Sequence, residues 1–212
     1  MRKPVLELFC LLLCVLSLWG CDQRQGGQSP ESTNQEMLSY EIGDTEVTVA
    51  NCEEAAEGEV VIPDEIEGLP VTSLGDTVFA ACTSVTSIII PKSVTSIGDY
   101  AFNGCRSLTS VTIPDRVTSI GIYTFTGCRS LSSLIIPESV TSIGNNAIAG
   151  TGLTSITIPD GVTSIGNGAF QDCDGLTSII IPQAFHSEAE ASRLGLDELW
   201  PDGFLLPDSS SK

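Results

Sequence analysis

Cysteine is the residue type in this chain whose spacing could support chemistry. Eight cysteines occur among 212 residues; Cys82, Cys105 and Cys128 are evenly spaced, and Cys173 takes the equivalent position two intervals later. Thiols can form disulfides, ligate a metal or fill a dry corner of a core. The chain has no Cys-x-x-Cys pair, and its one histidine is His186. The sequence therefore predicts no metal site.

The usual motifs of catalysis are missing from the sequence. It contains no nucleophile elbow, no zincin helix, no phosphate loop and no dinucleotide fingerprint. His186 lies where a repeated pattern ends, and we interpret it as a structural residue. We predict that the protein is not an enzyme, with no catalytic residues and no cofactor.

The pattern that positions the cysteines is an internal repeat with a period of about 23 residues. Prolines mark it: Pro91, Pro114 and Pro137 are evenly spaced, Pro159 comes one position early, and Pro182 returns to the regular interval. A unit of this length cannot bury its apolar face alone, so the units must stack as the coils of a solenoid.

Aliphatic columns before each proline predict one short parallel strand per coil. Ile88 and Ile90, with their equivalents in later coils, alternate with period 2, and the proline that follows cannot extend a ladder. A glycine closes each coil, where we expect close backbone approach. Ser187 and Glu190 have the spacing of a capping box, which predicts a helix whose leucines cover the last coil. The predicted fold is a solenoid, mostly strand and turn, with a C-terminal helical cap.

The repeated phrase L-T-S-I-x-I-P-x-x-V-T-S-I-G-x-x-A-F-x-G-C resembles the leucine-rich repeats of the BspA-like class. The resemblance spans roughly residues 40 to 200. The family occurs in many bacterial and some protist surface proteins, so the resemblance implies an adhesion-type binding protein. The first unit carries about five extra residues, placed at 67–71.

The N-terminus resembles that of an exported lipoprotein. Arg2 and Lys3 precede an apolar run of twelve residues, too short to span a bilayer, and Gly20-Cys21 resembles a lipoprotein cleavage site. We expect Cys21 to be lipidated and to tether the protein to a membrane of the cell envelope or cell surface; ordinary secretion and an uncleaved anchor are the alternatives. The predicted organisation is a signal peptide (1–20), a lipidated cysteine and flexible tether (21–39), an N-terminal cap with an irregular repeat (40–84), the solenoid (85–182), a C-terminal cap (183–206) and a disordered tail (207–212).

Charge restricts the possible partners. The formal net charge of −18 argues against nucleic acid and against anionic lipid as a partner of the whole surface. Two basic residues, Arg106 and Arg129, share one column, and Tyr100 and Tyr123 share another. These four could form a patch that receives an anionic group or a partner's acidic loop; the alternative is that they are solvated turn residues.

Export also makes disulfides possible between Cys52 and the column cysteines. Coils stack about 5 Å apart, which lies within the Cα range of a disulfide. Parallel side chains give a poor S–S dihedral, so we favour buried free thiols.

The outward positions of the strands form the main candidate for a binding surface, which we call the ladder face. Its isoleucines would make an apolar stripe that monomers seldom expose, although strand propensity alone could also select them. The hypothesis is recognition of a protein or surface polymer; the alternative is a structural envelope protein that self-associates. The ladder face comprises Ile89, Thr112, Ile135, Thr157 and Ile180.

Overall fold

The strands of the regular coils come from the repeated Ser-aliphatic-Thr/Ile triplets and from the Ser-Ile pairs that follow each proline. A computed structural model describes residues 34–199 and 204–205. In chain order the strands are β1 (Leu38–Ile42), β2 (Val47–Cys52), β3 (Glu57–Val61), β4 (Glu65–Ile66), β5 (Leu69–Leu74), β6 (Ser84–Ile89), β7 (Ser96–Ile97), β8 (Ser110–Thr112), β9 (Ser119–Ile120), β10 (Ser133–Ile135), β11 (Ser142–Ile143), β12 (Ser155–Thr157), β13 (Ser164–Ile165), β14 (Ser178–Ile180) and β15 (Phe204–Leu205). The helix α1 (Glu188–Leu194) and 3-10 turns at Asn34–Met37, Gln183–Phe185 and Asp197–Leu199 complete the described elements.

Each regular coil contributes two strands rather than the single one predicted. The even-numbered strands β6 to β14 are the predicted ladder, and the odd-numbered strands β7 to β13 form a second line of two-residue strands. Where strands of one line pair, the pairing is parallel and in register, so that Ser142 pairs with Ser119 and with Ser164. The predicted leucine-rich repeat solenoid is confirmed, and the second ladder is an addition to it.

The core is a set of side-chain columns that run along the solenoid. Phe79, Phe102 and Phe125 are fully buried and stack with ring centroids 5.5 and 5.1 Å apart. Buried aliphatic columns from both strands of each coil surround them. Stacking therefore buries faces that no single coil could bury.

The glycine that closes each coil permits close contact between neighbouring backbones. A Cβ on Gly144 would lie 2.6 Å from the carbonyl carbon of Gly121, and one on Gly166 would lie 2.4 Å from the amide nitrogen of Asn145. Both distances are shorter than a real Cβ contact, so only glycine fits without displacement of the backbone.

The N-terminal residues form a cap that is continuous with the coils. Strands β1 and β2 pair antiparallel, β2 pairs with β5, and β5 pairs with β7. The predicted extra residues of the first unit form a hairpin of β4 and β5, with Glu67 and Gly68 at positive φ in the turn. This hairpin is a local insertion that leaves the stacking of later coils intact.

The C-terminal cap has the predicted helix with a different carboxylate partner. The Ser187 hydroxyl accepts from the Glu190 amide at 3.1 Å, as expected of an N-cap. The Glu190 carboxylate, however, pairs with Arg193 and not with the Ser187 amide, so the reciprocal half of the capping box is wrong. Leu194 and Leu196 are buried against the last coil.

The ladder of even-numbered strands is interrupted at one point. Strands β10, β8, β6 and β3 form one sheet, whereas β12, β14 and β15 form another. The break falls between Pro137 and Pro159, the one shortened interval of the proline series. The second line of strands keeps its pairing across the same interval, where Ser142 pairs with Ser164.

Candidate functional site

The ladder face has the predicted outward orientation along most of its length. The exposed fraction is 49% for Ile89 and 59% for Ile135, and Thr112 and Thr157 are also exposed. In each strand the intervening residue, such as Val111, points into the core. The apolar and hydroxyl side chains of this face therefore lie free at the surface.

Ile180 departs from the prediction because the ladder continues beyond it. It is half-buried, and β15 pairs in parallel with β14 so that Leu205 lies opposite Ile180. No repeat signal predicts this strand, since residues 204–205 lie outside the repeated phrase. The accessible part of the ladder face is centred on Ile89 and Ile135.

Because isoleucine alternates with threonine along the ladder face, the face has two shallow grooves. One groove of about 400 Å³ lies between Ile89 and Thr112, with Lys92, Asp115 and Glu59 at its edges. A second groove, of about 310 Å³, lies between Ile135 and Thr157 with Glu138 at its edge. Each groove has an apolar wall and a hydroxyl wall rimmed by charge, a composition typical of interface surfaces.

The second ladder is held by hydroxyl contacts within the solenoid. The hydroxyls of Thr141 and Thr163 donate to the carbonyl of the equivalent residue one coil earlier, at 3.2 and 3.3 Å. The Ser96 hydroxyl donates to that of Ser73 at 2.9 Å. Because these groups satisfy the backbone and one another, this wall is a structural polar ladder.

The five described cysteines are free thiols. Cys105 donates to the Phe79 carbonyl at 3.0 Å and Cys128 to the Phe102 carbonyl at 3.1 Å. Interaction with the neighbouring Cys128 thiol, reinforced by burial, raises the pKa of Cys105 far above that of an ordinary thiol. The Cys105 thiol is therefore a protonated packing group and not a nucleophile.

Cys52 extends this column into the N-terminal cap. Interaction with the Cys82 thiol raises the pKa of the Cys52 thiol, burial acts in the same direction, and the same interaction lowers the pKa of Cys82. The Cys82 sulfur also donates to the Glu53 carbonyl at 3.8 Å. The pair therefore joins the cap to the first coil through sulfur contacts.

Potential metal ligands do not cluster in the part of the chain that the structure describes. No group of three or more His, Cys, Asp or Glu side chains within residues 34–199 is arranged to hold a metal. The His186 ring nitrogen Nε2 lies 2.9 Å from the Ile181 carbonyl, where it fixes the start of the cap. Cys21, proposed as the lipidated residue, lies outside the described residues, as do the predicted signal peptide and C-terminal tail.

The structure brings together only some members of the predicted patch of Arg106, Arg129, Tyr100 and Tyr123. The rings of Tyr100 and Tyr123 stack with centroids 5.0 Å apart and planes 10° from parallel. Tyr123 and Arg129 line one cavity, which Tyr100 and Arg106 do not line. None of the four takes part in an ion pair within the described ranges.

Sequence reasoning missed a set of side chains that cap the coil turns. The Asp99 carboxylate accepts from the Ile122 amide at 2.7 Å, and Asp76 accepts from the Asp99 amide at 2.8 Å. Two coils after Asp99, the Asn145 side chain accepts in the same way from the Asn167 amide at 2.9 Å. The signal was present in the sequence, since an Asp or Asn follows the closing glycine in most coils.

In the described part of the chain no helix has both the length and the apolar composition needed to cross a bilayer.

The fold and its columns define the class of the protein as a leucine-rich repeat solenoid. The family model described as "BspA type Leucine rich repeat region" matches six copies across residues 62–190. The chain therefore belongs to the BspA-type leucine-rich repeat family.

Solved structures agree with this assignment. A leucine-rich repeat protein from Bacteroides ovatus ATCC 8483 is 36% identical over 70% of this chain, with a TM-score of 0.66; the match spans 40% of that protein. The T. pallidum leucine-rich repeat protein is 31% identical over 69% of this chain and 70% of its own, with a TM-score of 0.65. The pneumococcal vaccine antigen PcpA, at 17% identity and a TM-score of 0.52 over 73% of this chain and 50% of its own, shares the fold alone. No curated protein matches the chain in sequence.

Proposed function

We propose that this protein is an exported, membrane-tethered binding protein that recognises another protein through its ladder face, without catalysis. The observation that carries the proposal is the pair of exposed isoleucines, Ile89 and Ile135, on a regular strand surface. Exposed apolar side chains beside charged rims are features of protein interaction sites.

The proposed location rests on the N-terminal sequence. The positive start, the short apolar run and Gly20-Cys21 support export with lipidation of Cys21. The polar segment that follows would hold the solenoid away from the membrane as a flexible tether. Membership of a family that includes many surface proteins supports the cell envelope or cell surface as its location.

The size of the surface bears on affinity. The accessible ladder face spans few strands and its grooves are shallow. A single contact should therefore be weak, and several tethered copies would act together through avidity. This arrangement fits adhesion between surfaces.

The test compares two variants of the full chain that differ only in where isoleucine is removed. Ile89→Thr with Ile135→Thr uses the residue that the equivalent positions Thr112 and Thr157 already carry. The matched control is Ile42→Thr with Ile122→Thr, since those isoleucines are 48% and 37% exposed away from the ladder face.

Each tagged protein is captured with its bound proteins from envelope and neighbouring-cell material after mild cross-linking. Loss of one captured protein in the ladder variant, with retention in the control, supports the proposal. Identical capture by both variants contradicts it. If the ladder variant instead loses only self-association in sedimentation experiments, the surface serves assembly of this chain and the alternative structural role is correct.

A further inference from the structure

The shortened coil opens a notch on the turn side of the solenoid that no part of the proposed function uses. Other coils place two residues between the cysteine column and the next leucine, whereas this coil has only Gly152 between Thr151 and Leu153. The cavity here has a volume of about 660 Å³, larger than either groove of the ladder face. That volume falls within the range of about 300–1,000 Å³ typical of small-molecule sites.

Small residues in the shortened coil keep the notch open. Asn146 occupies the position of the tyrosines, and Thr151 that of the cysteines. Gly127 and Gly150 line the floor without side chains, and both have positive φ, at 75° and 64°. In the next coil Asp172 occupies the position equivalent to Gly127 and Gly150, so a carboxylate lies at the end of the floor.

One wall of the notch is an aromatic ring. Tyr123 stacks on Tyr100 through one face. The following coil offers Asn146 instead of a third ring, and both Tyr123 and Asn146 line the cavity. The part of the Tyr123 ring that Tyr100 and Asn146 leave uncovered therefore borders the notch.

The polar groups of the notch stand on opposite sides of it. Arg129 and Asp174 each follow the cysteine column directly, two coils apart, which separates their backbones by roughly 10 Å. Within residues 34–199 neither side chain forms an ion pair. The Arg129 guanidinium, the Asp172 and Asp174 carboxylates and the Asn146 amide therefore line one cavity, which offers a ligand both donors and acceptors.

From this arrangement we propose that the notch binds a sugar residue of a glycan. The C–H face of a pyranose packs on an aromatic ring, and its hydroxyls both donate and accept, which suits a guanidinium on one side and carboxylates on the other. A simple anion would be repelled by Asp172 and Asp174, and an apolar ligand would leave these polar groups unpaired. The lining residues that define the site are Tyr123, Arg129, Asn146, Thr151, Asp172 and Asp174.

The test measures binding of defined oligosaccharides to the full chain in mild detergent. The probes are trisaccharides of glucose, mannose, galactose and N-acetylglucosamine, followed by saturation-transfer NMR and titration calorimetry up to concentrations above the millimolar range expected for a shallow site. Inorganic phosphate and an unstructured peptide serve as competing ligand classes. Arg106 offers a control, since it repeats the residue type of Arg129 one coil earlier and lies outside the cavity.

Binding of at least one trisaccharide is expected, and Tyr123→Ala or Asp174→Asn should weaken it about tenfold. Arg106→Gln should leave it within about twofold, while circular dichroism shows that every variant is folded. The proposal is overturned if no trisaccharide binds, if the control variant loses binding equally, or if phosphate or peptide binds in the notch and sugar does not. Since the ladder-face isoleucines are intact in all these variants, the result is independent of the protein partner proposed above.

Discussion

We predict that the unfolding free energy lost on truncating a core phenylalanine depends on its position along the solenoid. Phe102 lies between Phe79 and Phe125, with rings within 4° of parallel. Phe170 is equally buried but follows Ile148 in its column, and it stacks on no ring in the described part of the chain. The two side chains therefore differ in ring pairs and not in burial.

Each Phe→Ala change deletes buried volume worth about 3–5 kcal/mol of unfolding free energy. Phe102→Ala also removes two ring pairs of about 0.5–1.5 kcal/mol each, so it should cost about 1–3 kcal/mol more than Phe170→Ala. Because Ile148 is accommodated in this column, Phe102→Ile should cost less than Phe102→Ala.

Urea unfolding followed by far-UV circular dichroism and tyrosine fluorescence measures these differences. Transitions that coincide between the two probes, with the same slope of unfolding free energy against urea concentration in every variant, would show that each variant unfolds in one step. Equal losses for Phe102→Ala and Phe170→Ala would refute the contribution of ring stacking to the column.

Three further predictions concern the coil contacts, the buried thiols and the cap. Gly144→Ala should destabilise the fold markedly because its Cβ would lie 2.6 Å from the Gly121 backbone. Gly175→Ala should change stability little because the nearest atom to its Cβ would be 3.5 Å away. Thermal melts of both variants test this difference. The raised pKa of Cys105 means that its stabilising effect is complete below the ordinary thiol pKa of about 8.5 and falls by about 1.4 kcal/mol per pH unit above it. Cys105→Ala should therefore flatten the loss of stability on raising the pH from about 8.5 to about 10, and an unchanged slope in urea titrations would contradict the assignment. Leu194→Ala should cost about 2–5 kcal/mol and expose the last coil, detected as faster amide exchange there than at the centre; uniform exchange would count against its covering role.

The sequence predicted those features that the repeat itself encodes. The proline spacing located the strands, and the alternation within each triplet correctly assigned Ile135 to the surface and Leu134 to the core. Regular stacking makes every coil the neighbour of the next, so a column in sequence becomes a contact in space.

Features that depend on non-repeated neighbours were not predictable. The partial burial of Ile180 arises from β15, and the partner of Glu190 is fixed by the local position of Arg193 on α1. The notch depends on one missing residue, whose three-dimensional effect appears only once Tyr123 and Asp174 are seen to line the same cavity. The Asp and Asn residues that follow the closing glycines were visible in the sequence, but the amides that they accept from were not, because the coil geometry decides which amides lie within reach.

The central claim is that Ile89 and Ile135 of the ladder face contact a protein partner, and site-specific photo-cross-linking in intact cells tests it most directly. A benzophenone side chain is placed at Ile135 in one protein and at Ile122, an exposed isoleucine off the ladder, in another. The account predicts a discrete cross-linked protein from position 135 and none from position 122. The same cross-links from both positions, or a discrete product from position 122 alone, would contradict it.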